Sequence, residues 1–169
     1  MMETGKESVS LANLFSMPYV LTGMNPAFDT VTLNYNWQEL GTQAFSIYSA
    51  TTETIDDESA MMAVSSVLRF LTRMGIIKYD CHGGYISTTL REQELVSIRA
   101  EEAGFFRKLV GVDREVKRGE VLAEIINPMD GTVKASILAP TDGIVFFCQD
   151  APMVFQNTVI YKMIRRMHH

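Results

Sequence analysis

One short pattern occurs twice near the C-terminus of this 169-residue chain. Residues 116–125 read VKRGEVLAEI, and residues 154–163 read VFQNTVIYKM. Each copy has an apolar residue, two variable residues, a turn residue and then a strand-like segment. The turn residues are Gly119 and Asn157, and glycine and asparagine are the two residue types that most easily adopt positive φ. The repeat therefore predicts a small β domain built from two similar halves.

Turn signals punctuate the whole C-terminal part of the chain at short intervals. A glycine precedes each copy of the repeat at nearly the same distance, Gly104 before the first and Gly143 before the second. Short strands separated by such signals are typical of an all-β sandwich or flattened barrel. The predicted strands cover residues 94–100, 104–110, 120–127, 132–138, 143–148 and 158–164.

The clearest helix signal lies in the first half of the chain. Apolar residues spaced three and four apart form one stripe there, at Ala60, Val64, Val67, Leu68, Leu71 and Met74. Asp56 or Asp57 is a suitable N-cap, and Gly75 is a suitable residue just past the C-terminus. These signals predict a helix at about residues 57–74.

Weaker patterns precede this helix. Residues 8–15 predict a short helix capped by Ser8 or Ser10. Residues 18–40 lack periodicity and predict a loop with brief extended pieces. Residues 43–49 alternate between apolar and polar side chains, which predicts a strand.

These patterns divide the chain into two predicted domains, residues 1–78 and residues 79–169. The first is too short and too poor in strands to be a complete α/β domain. Its large rings, which include Phe28, Tyr35 and Trp37, are expected to leave an apolar patch uncovered. Such a patch favours self-association or capture of a partner chain.

Charge and cysteine usage exclude several classes of function. The net charge of −5 and the pI of about 5.2 argue against nucleic acid as a partner, since phosphate binding needs clustered basic residues. No apolar run is long enough to span a membrane. Two cysteines are too few for a disulfide framework, which favours a reducing cytoplasm. His168 and His169 are either native or the remainder of a purification tag, and we assign them no role.

Four segments of the C-terminal part follow one another in the order found in one enzyme family. They are residues 104–110 (GFFRKLV), 116–131 (VKRGEVLAEIINPMDG), 139–145 (APTDGIV) and 158–163 (TVIYKM). This part resembles the barrel-sandwich hybrid domain at the C-terminus of the succinylglutamate desuccinylase/aspartoacylase family, in the zinc carboxypeptidase-like superfamily. Residues 44–48 (AFSIY) and the helix predicted after them resemble the last strand and last helix of the family's catalytic domain.

The resemblance aligns Tyr48 with a glutamate that, in many family members, is the acid/base acting on a zinc-bound water. Because an unperturbed phenol titrates at about 10, Tyr48 cannot take a proton from water near neutral pH. Glu53 is the nearest carboxylate that could substitute for the missing glutamate. The polar residues expected nearest the substrate are Asn34, Asn36, Gln38 and Tyr48.

Zinc ligands are the second departure from the family pattern. The family uses a His-x-x-Glu pair and a distant histidine, and this chain has no counterpart of them. His82 adjoins Cys81, but adjacent residues on an extended segment cannot easily chelate one ion, and a catalytic zinc needs about three protein ligands. We expect no metal site in this chain, and zinc only in the complete family enzyme.

A prosthetic-group carrier is an alternative interpretation of the β domain, because biotinyl and lipoyl carriers share the hybrid fold. Those proteins carry a modified lysine at the tip of a tight hairpin. The corresponding tip, residues 127–131, contains no lysine, and Lys134 follows inside the next strand. A carrier is therefore disfavoured, since likeness of fold alone carries no function.

Two carboxylate pairs and the methionines also have simpler explanations than catalysis. Asp57 and Glu58 are expected to stabilise a helix N-terminus, and Glu101 and Glu102 to lie in a turn. The eleven methionines are expected to fill a core rather than bind metal.

The sequence thus predicts an α+β chain, with a C-terminal all-β barrel-sandwich hybrid preceded by a strand–helix remnant of a zinc-peptidase-like α/β domain. The resemblance implies the C-terminal part of a zinc-dependent amide hydrolase that is inactive as this chain alone. The alternative is a non-catalytic binding or oligomerisation module. The expected partner is a second copy of the chain or a missing catalytic half.

Overall fold

Strands outnumber helices in the computed structural model, which describes residues 1, 7–23, 31–48 and 55–166. The chain divides into two units, Met1–Gln93 and Glu94–His169. The first unit contains helices and one pair of strands. The second unit is built of strands, and a short 3₁₀ segment, Glu92–Glu94, lies across the boundary between the two units.

Two predicted helices of the first unit are confirmed, with the predicted caps. Helix α1 spans Val9–Asn13, and the Ser8 hydroxyl accepts a hydrogen bond from the Leu11 amide at 3.2 Å. Helix α3 spans Asp57–Arg73, and the Asp56 carboxylate accepts from two amides of the first turn. Gly75 follows with φ +72°, a conformation that ends helices and that glycine adopts without strain.

Two predictions in the first unit are wrong. The segment predicted as a loop contains helix α2, Leu33–Glu39, which begins at Thr32 because the Thr32 hydroxyl caps the Tyr35 amide. Residues 43–48, predicted as a strand, pair with no other described strand. A strand depends on a ladder partner, so the alternating pattern alone does not produce one.

A pair of parallel strands closes the first unit. Strand β1, Tyr19–Thr22, pairs with strand β2, Thr88–Arg91, in register from Tyr19 opposite Thr88. Because β2 pairs with β1, the first unit continues past residue 78 and ends at Gln93.

The second unit contains all six strands predicted for the C-terminal part and two more of two residues each. The short strands are β5 and β9, which lie immediately before the turns of the repeat. The eight strands are β3 (Leu95–Arg99), β4 (Gly104–Lys108), β5 (Glu115–Val116), β6 (Val121–Ile126), β7 (Val133–Leu138), β8 (Gly143–Cys148), β9 (Met153–Val154) and β10 (Val159–Arg165).

These strands form two four-stranded antiparallel sheets related by an internal two-fold pattern. The strand orders are β7-β6-β4-β9 and β3-β10-β8-β5, and neither order closes into a barrel within the described residues. Each strand has a counterpart in the other half of the unit: β4, β5, β6 and β7 correspond in turn to β8, β9, β10 and β3. Replacing every strand by its counterpart converts one order into the other. The repeat seen in the sequence therefore produces the pairing, and each half contributes one short strand to the other half's sheet.

The turn and glycine positions of the repeat have the conformations that the sequence predicts. Gly119 has φ +85° and Asn157 has φ +69°. A Cβ on Gly104 would come within 2.5 Å of the Ile126 carbonyl oxygen, and one on Gly143 within 2.2 Å of the Ile164 carbonyl oxygen. Both glycines thus allow the two inner strands of a sheet, β4 and β6 or β8 and β10, to approach each other closely.

One hydrophobic core lies within the second unit and takes side chains from both sheets. Its fully buried members include Leu122, Ile125, Val145, Ile160 and Met163. The Tyr161 ring lies there as well, and its hydroxyl donates to the carbonyls of Val110 and Leu122 at 2.9 and 2.8 Å. Burial raises the pKa of the Tyr161 phenol, which therefore stays protonated.

Candidate functional site

Three of the four predicted substrate-side residues lie on helix α2. The Asn34 amide donates to the Ser46 hydroxyl, and the Gln38 amide donates to the Ala44 carbonyl at 3.3 Å. Gln38 is 1% exposed, and Asn36 donates back to the carbonyl of Thr32. Asn34 and Gln38 therefore attach α2 to the segment that leads to the fourth residue, Tyr48.

Tyr48 itself is open to solvent, with 80% of the residue exposed. An exposed phenol can donate a hydrogen bond to a ligand or accept one from it. Glu53, the predicted substitute for the family glutamate, lies outside the described residues, as do His168 and His169.

A pair of arginines on α3, which the sequence interpretation did not single out, organises the first unit. Arg69 is 5% exposed, and its Nε donates to the carbonyl of Phe15 at 3.1 Å. Arg73 donates to the Leu14 carbonyl at 2.9 Å and to the Ser16 hydroxyl. Residues four apart lie on one helix face. Both guanidinium groups therefore bind the chain just after α1.

A glycine pair packs against the same guanidinium groups. Arg73 donates to the Gly83 carbonyl at 2.9 Å, and Gly84 has φ +77°. A Cβ on Gly84 would come within 2.7 Å of Arg69 Nε and 2.6 Å of Ser16 Cβ. Gly84 thus permits a close approach that a residue with a side chain would not allow.

Two pockets flank the contact between Arg73 and Gly83. The larger, of about 380 Å³, is lined by Asn13, Ser16, Arg73 and residues 83–87. The smaller, of about 160 Å³, is lined by Arg69, Thr72, Arg73 and residues 79–83. The sequence signal that could have found this region is the Arg69–Arg73 spacing, on the side of α3 away from the apolar stripe.

Metal ligation finds no support in this region. Cys81 and His82 line the smaller pocket beside two arginines, whose positive charge disfavours a cation. Within residues 1, 7–23, 31–48 and 55–166, no group of three or more His, Cys, Asp or Glu side chains could hold a metal ion. Both cysteines are free thiols.

The apolar stripe of α3 faces solvent rather than a core. Val64, Val67 and Met74 are 54%, 40% and 46% exposed, while Leu68 and Leu71 are half-buried. The inward face instead carries buried Ser66 and Arg69, and Phe70, which stacks on Phe15 with ring centroids 4.3 Å apart. The expectation that methionines fill a core is wrong for Met74, although Met163 does so in the second unit.

Helix α2 repeats this arrangement on a smaller scale. Leu33, Trp37 and Leu40 recur at helical spacing and are 60%, 46% and 83% exposed. The only polar residue of α2 that is buried is Gln38. Two helices of one unit thus present apolar side chains to water, the kind of surface that marks an interaction site.

Carboxylates of the second unit, among them Glu102 and, at the hairpin tip, Asp130, form local contacts within the fold. Glu102 pairs with Lys134 at 3.1 Å, and Lys134 also donates to the carbonyl of Ala103. At the tip, the Asp130 carboxylate accepts from the amide and hydroxyl of Thr132, which lowers the pKa of Asp130. Lys134 is therefore held along strand β7 rather than presented on a hairpin tip.

No protein-family model matches the sequence, and no curated protein matches it significantly. Solved structures do share its fold. The succinylglutamate desuccinylase/aspartoacylase from Rhodobacter sphaeroides aligns over 95% of this chain and 49% of its own, at 19% identity and a TM-score of 0.73. The product-bound ectoine utilization protein EutE (DoeB) from Ruegeria pomeroyi aligns over 91% and 47%, at 15% identity and a TM-score of 0.76.

An aspartoacylase family protein from Mesorhizobium loti aligns similarly, over 95% of this chain and 48% of its own, at 19% identity and a TM-score of 0.64. These structures confirm the predicted resemblance to the succinylglutamate desuccinylase/aspartoacylase family at the level of the fold. The chain spans about half the length of each of them.

The length and the apolar character of the helices bear on whether they could cross a membrane. In the part of the chain that the structure describes, none combines the length and the apolar character needed to cross a bilayer.

Proposed function

We propose that this chain is one half of a desuccinylase/aspartoacylase-like amide hydrolase, with the second unit as its barrel-sandwich hybrid domain. The observation that carries the proposal is the fold likeness, which extends over both units and over about half of each solved chain. The exposed apolar faces of α2 and α3 support it, because a partner half would cover them.

In the proposed complete enzyme, the His-x-x-Glu pair and distant histidine of the other half would hold a zinc ion, which would supply Lewis-acid chemistry for hydrolysis of an acylated amino acid or a peptide-like substrate. The zinc ligands belong to the other half, whereas the position of the family's acid/base glutamate lies in this chain and is occupied by Tyr48. From this chain, the exposed Tyr48 hydroxyl and the α2 amide of Asn34 lie on the substrate side and orient the substrate by hydrogen bonds. Gln38 positions α2 through the Ala44 carbonyl and does not contact the substrate.

The test is to co-express this chain with a polypeptide that carries the His-x-x-Glu half, sought first in the reading frames adjacent to its gene. The purified complex should contain stoichiometric zinc by elemental analysis and should hydrolyse N-acyl amino acids. This chain purified alone should do neither. A complex that forms but holds no zinc and cleaves no acyl-amino acid would contradict the hydrolase assignment.

Matched variants locate the proposed contact. Val64→Asp places a charge on the exposed stripe of α3 and should abolish co-purification. Val133→Asp, at a valine of similar exposure on strand β7, should leave co-purification intact. Equal loss in both variants would mean that the α3 stripe is not the contact.

A non-catalytic binding or oligomerisation module is the second candidate. It is favoured by the same exposed apolar faces together with the substitution of tyrosine at the family's glutamate position. In that case the chain should self-associate through α3, and light scattering should show a concentration-dependent mass that Val64→Asp reduces to the monomer. The cytoplasmic location expected from the two cysteines stays a prediction.

A further inference from the structure

The smaller pocket of the first unit contains a buried cation, Arg69, that has no anionic partner among the described residues. Arg69 is 5% exposed, yet within the described residues it makes one hydrogen bond, from Nε to Phe15. No described carboxylate forms an ion pair with Arg69 or Arg73. A guanidinium group removed from water is normally paired, because leaving it unpaired costs several kcal/mol.

The free donors of Arg69 open into the pocket. The guanidinium group carries five N–H donors, and only the one on Nε is used. No described side-chain nitrogen or oxygen is both fully buried and without a partner, so the terminal Arg69 nitrogens reach accessible space. That space is the smaller pocket, which Arg69 lines with Thr72 and Arg73.

The shape and the charge of the pocket suit a small anion. Its volume of about 160 Å³ is several times the ~30 Å³ that one water occupies in the liquid. Two arginines and one carboxylate, that of Asp80, line it, which leaves an excess of positive charge. A planar guanidinium fork binds carboxylate or phosphate oxygens with two parallel hydrogen bonds.

We propose that this pocket is a binding site for a small oxyanion, a carboxylate or phosphate group, held by the terminal nitrogens of Arg69. Gly84 is needed for the site because any larger residue would displace the Arg69 guanidinium. The site goes beyond the proposed hydrolase, and it requires neither zinc nor a partner half.

The test titrates the full chain separately with succinate and with inorganic phosphate, at constant ionic strength kept by chloride. Binding is followed by the NMR signals of the arginine Nε–H groups. We expect saturable shifts of the Arg69 signal with at least one ion. Binding of succinate alone would identify a carboxylate site, and binding of phosphate alone a phosphate site. No saturable shift with either ion would overturn the proposal.

Variants distinguish anion binding in the pocket from a general effect of the charge of the chain. Arg69→Gln should weaken binding by about tenfold or more, because a charge-assisted pair is lost. Asp80→Asn, at an exposed position that leaves the fold unchanged, should strengthen binding about two- to threefold by removing the nearby negative charge. The control Arg165→Gln, on an exposed arginine of the second unit, should change nothing. If Asp80→Asn left the affinity unaltered, the pocket would not be the site.

Discussion

The two units of this chain use the same kinds of sequence pattern with opposite outcomes. In the second unit, apolar positions such as Leu122, Ile125 and Ile160 lie in a closed core. In the first unit, the apolar stripe of α3 faces water while Ser66 and Arg69 are buried. The difference shows that a hydrophobic pattern specifies a face, whereas the partner available to that face decides whether it is buried.

The largest expected effect comes from shortening an apolar side chain to alanine, at a buried position of the second unit and at an exposed position of the first. Ile125→Ala should cost the second unit about 2–5 kcal/mol of unfolding free energy, because it empties a fully buried site. Val64→Ala should change the first unit by no more than about 0.5 kcal/mol, since Val64 is exposed.

Urea unfolding separates the two effects. Trp37, the only tryptophan, reports on the first unit by fluorescence, and circular dichroism follows the strands. A cost for Val64→Ala as large as that for Ile125→Ala would contradict the comparison.

Close strand approach should give the next largest effect. Gly143→Ala should destabilise the second unit by about 1–3 kcal/mol, because the new Cβ would overlap the Ile164 carbonyl oxygen. Gly111→Ala is the control, with no atom within 4 Å of its new Cβ and no positive φ. Thermal unfolding should show a lower midpoint for the first variant alone, and equal midpoints would show that β8 can move away from β10.

The buried hydroxyl of Tyr161 should contribute a comparable or smaller amount. Tyr161→Phe removes the side-chain donor to the Val110 carbonyl, while the Leu122 carbonyl still accepts from the amides of Leu109 and Val110, at a cost of about 1–3 kcal/mol near neutral pH. A loss below the error of denaturant unfolding would mean that water replaces the hydroxyl.

Alkaline pH should destabilise the second unit through Cys148 and Tyr161, which lie opposite each other on β8 and β10. Burial raises the pKa of both Cys148 and Tyr161 in the folded state. Their contribution to stability is complete below the unfolded pKa values, about 9 and 10, and is lost as pH rises above them. The urea midpoint of the second unit should therefore fall above about pH 9, and Tyr161→Phe should make that fall shallower.

The smallest expected effect concerns the N-terminus of helix α3 in the first unit. Asp56→Ala removes the N-cap of α3 and should cost about 1 kcal/mol. Asp57→Ala, within the same first turn, should cost less because it affects only the interaction with the helix dipole. The tryptophan fluorescence of urea-treated samples measures both variants, and the reverse order would assign the cap to Asp57.

Local and repeated features were predictable from the sequence. The repeat gave correct turn conformations at Gly119 and Asn157, because a positive φ depends on the residue type itself. The six longer strands and the caps of α1 and α3 follow equally local rules. The two-residue strands β5 and β9 were missed because only pairing with β8 and β4 defines them.

Features that depend on distant partners were not predictable. Residues 43–48 have a strand pattern but no ladder with another described strand. Helix α2 forms from the Thr32 cap in a segment predicted as a loop, where three apolar residues at helical spacing were too weak a signal. Of the candidate site, Gln38 is buried and donates to the Ala44 carbonyl, and the roles of Asn34, Asn36, Gln38 and Tyr48 at the substrate stay predictions. Arg69 escaped notice because the Arg69–Arg73 spacing places both residues on one helix face but gives no sign that Arg69 will be buried.

Hydrogen exchange on the full chain tests the contrast between the units most directly. Amides of β6 and β10 should exchange slowest, near the limit set by unfolding of the second unit, and amides of α3 should exchange much faster. Addition of the proposed partner half should slow α3 and leave β6 and β10 unchanged. Protection of α3 equal to that of β6 in the chain alone would contradict the account.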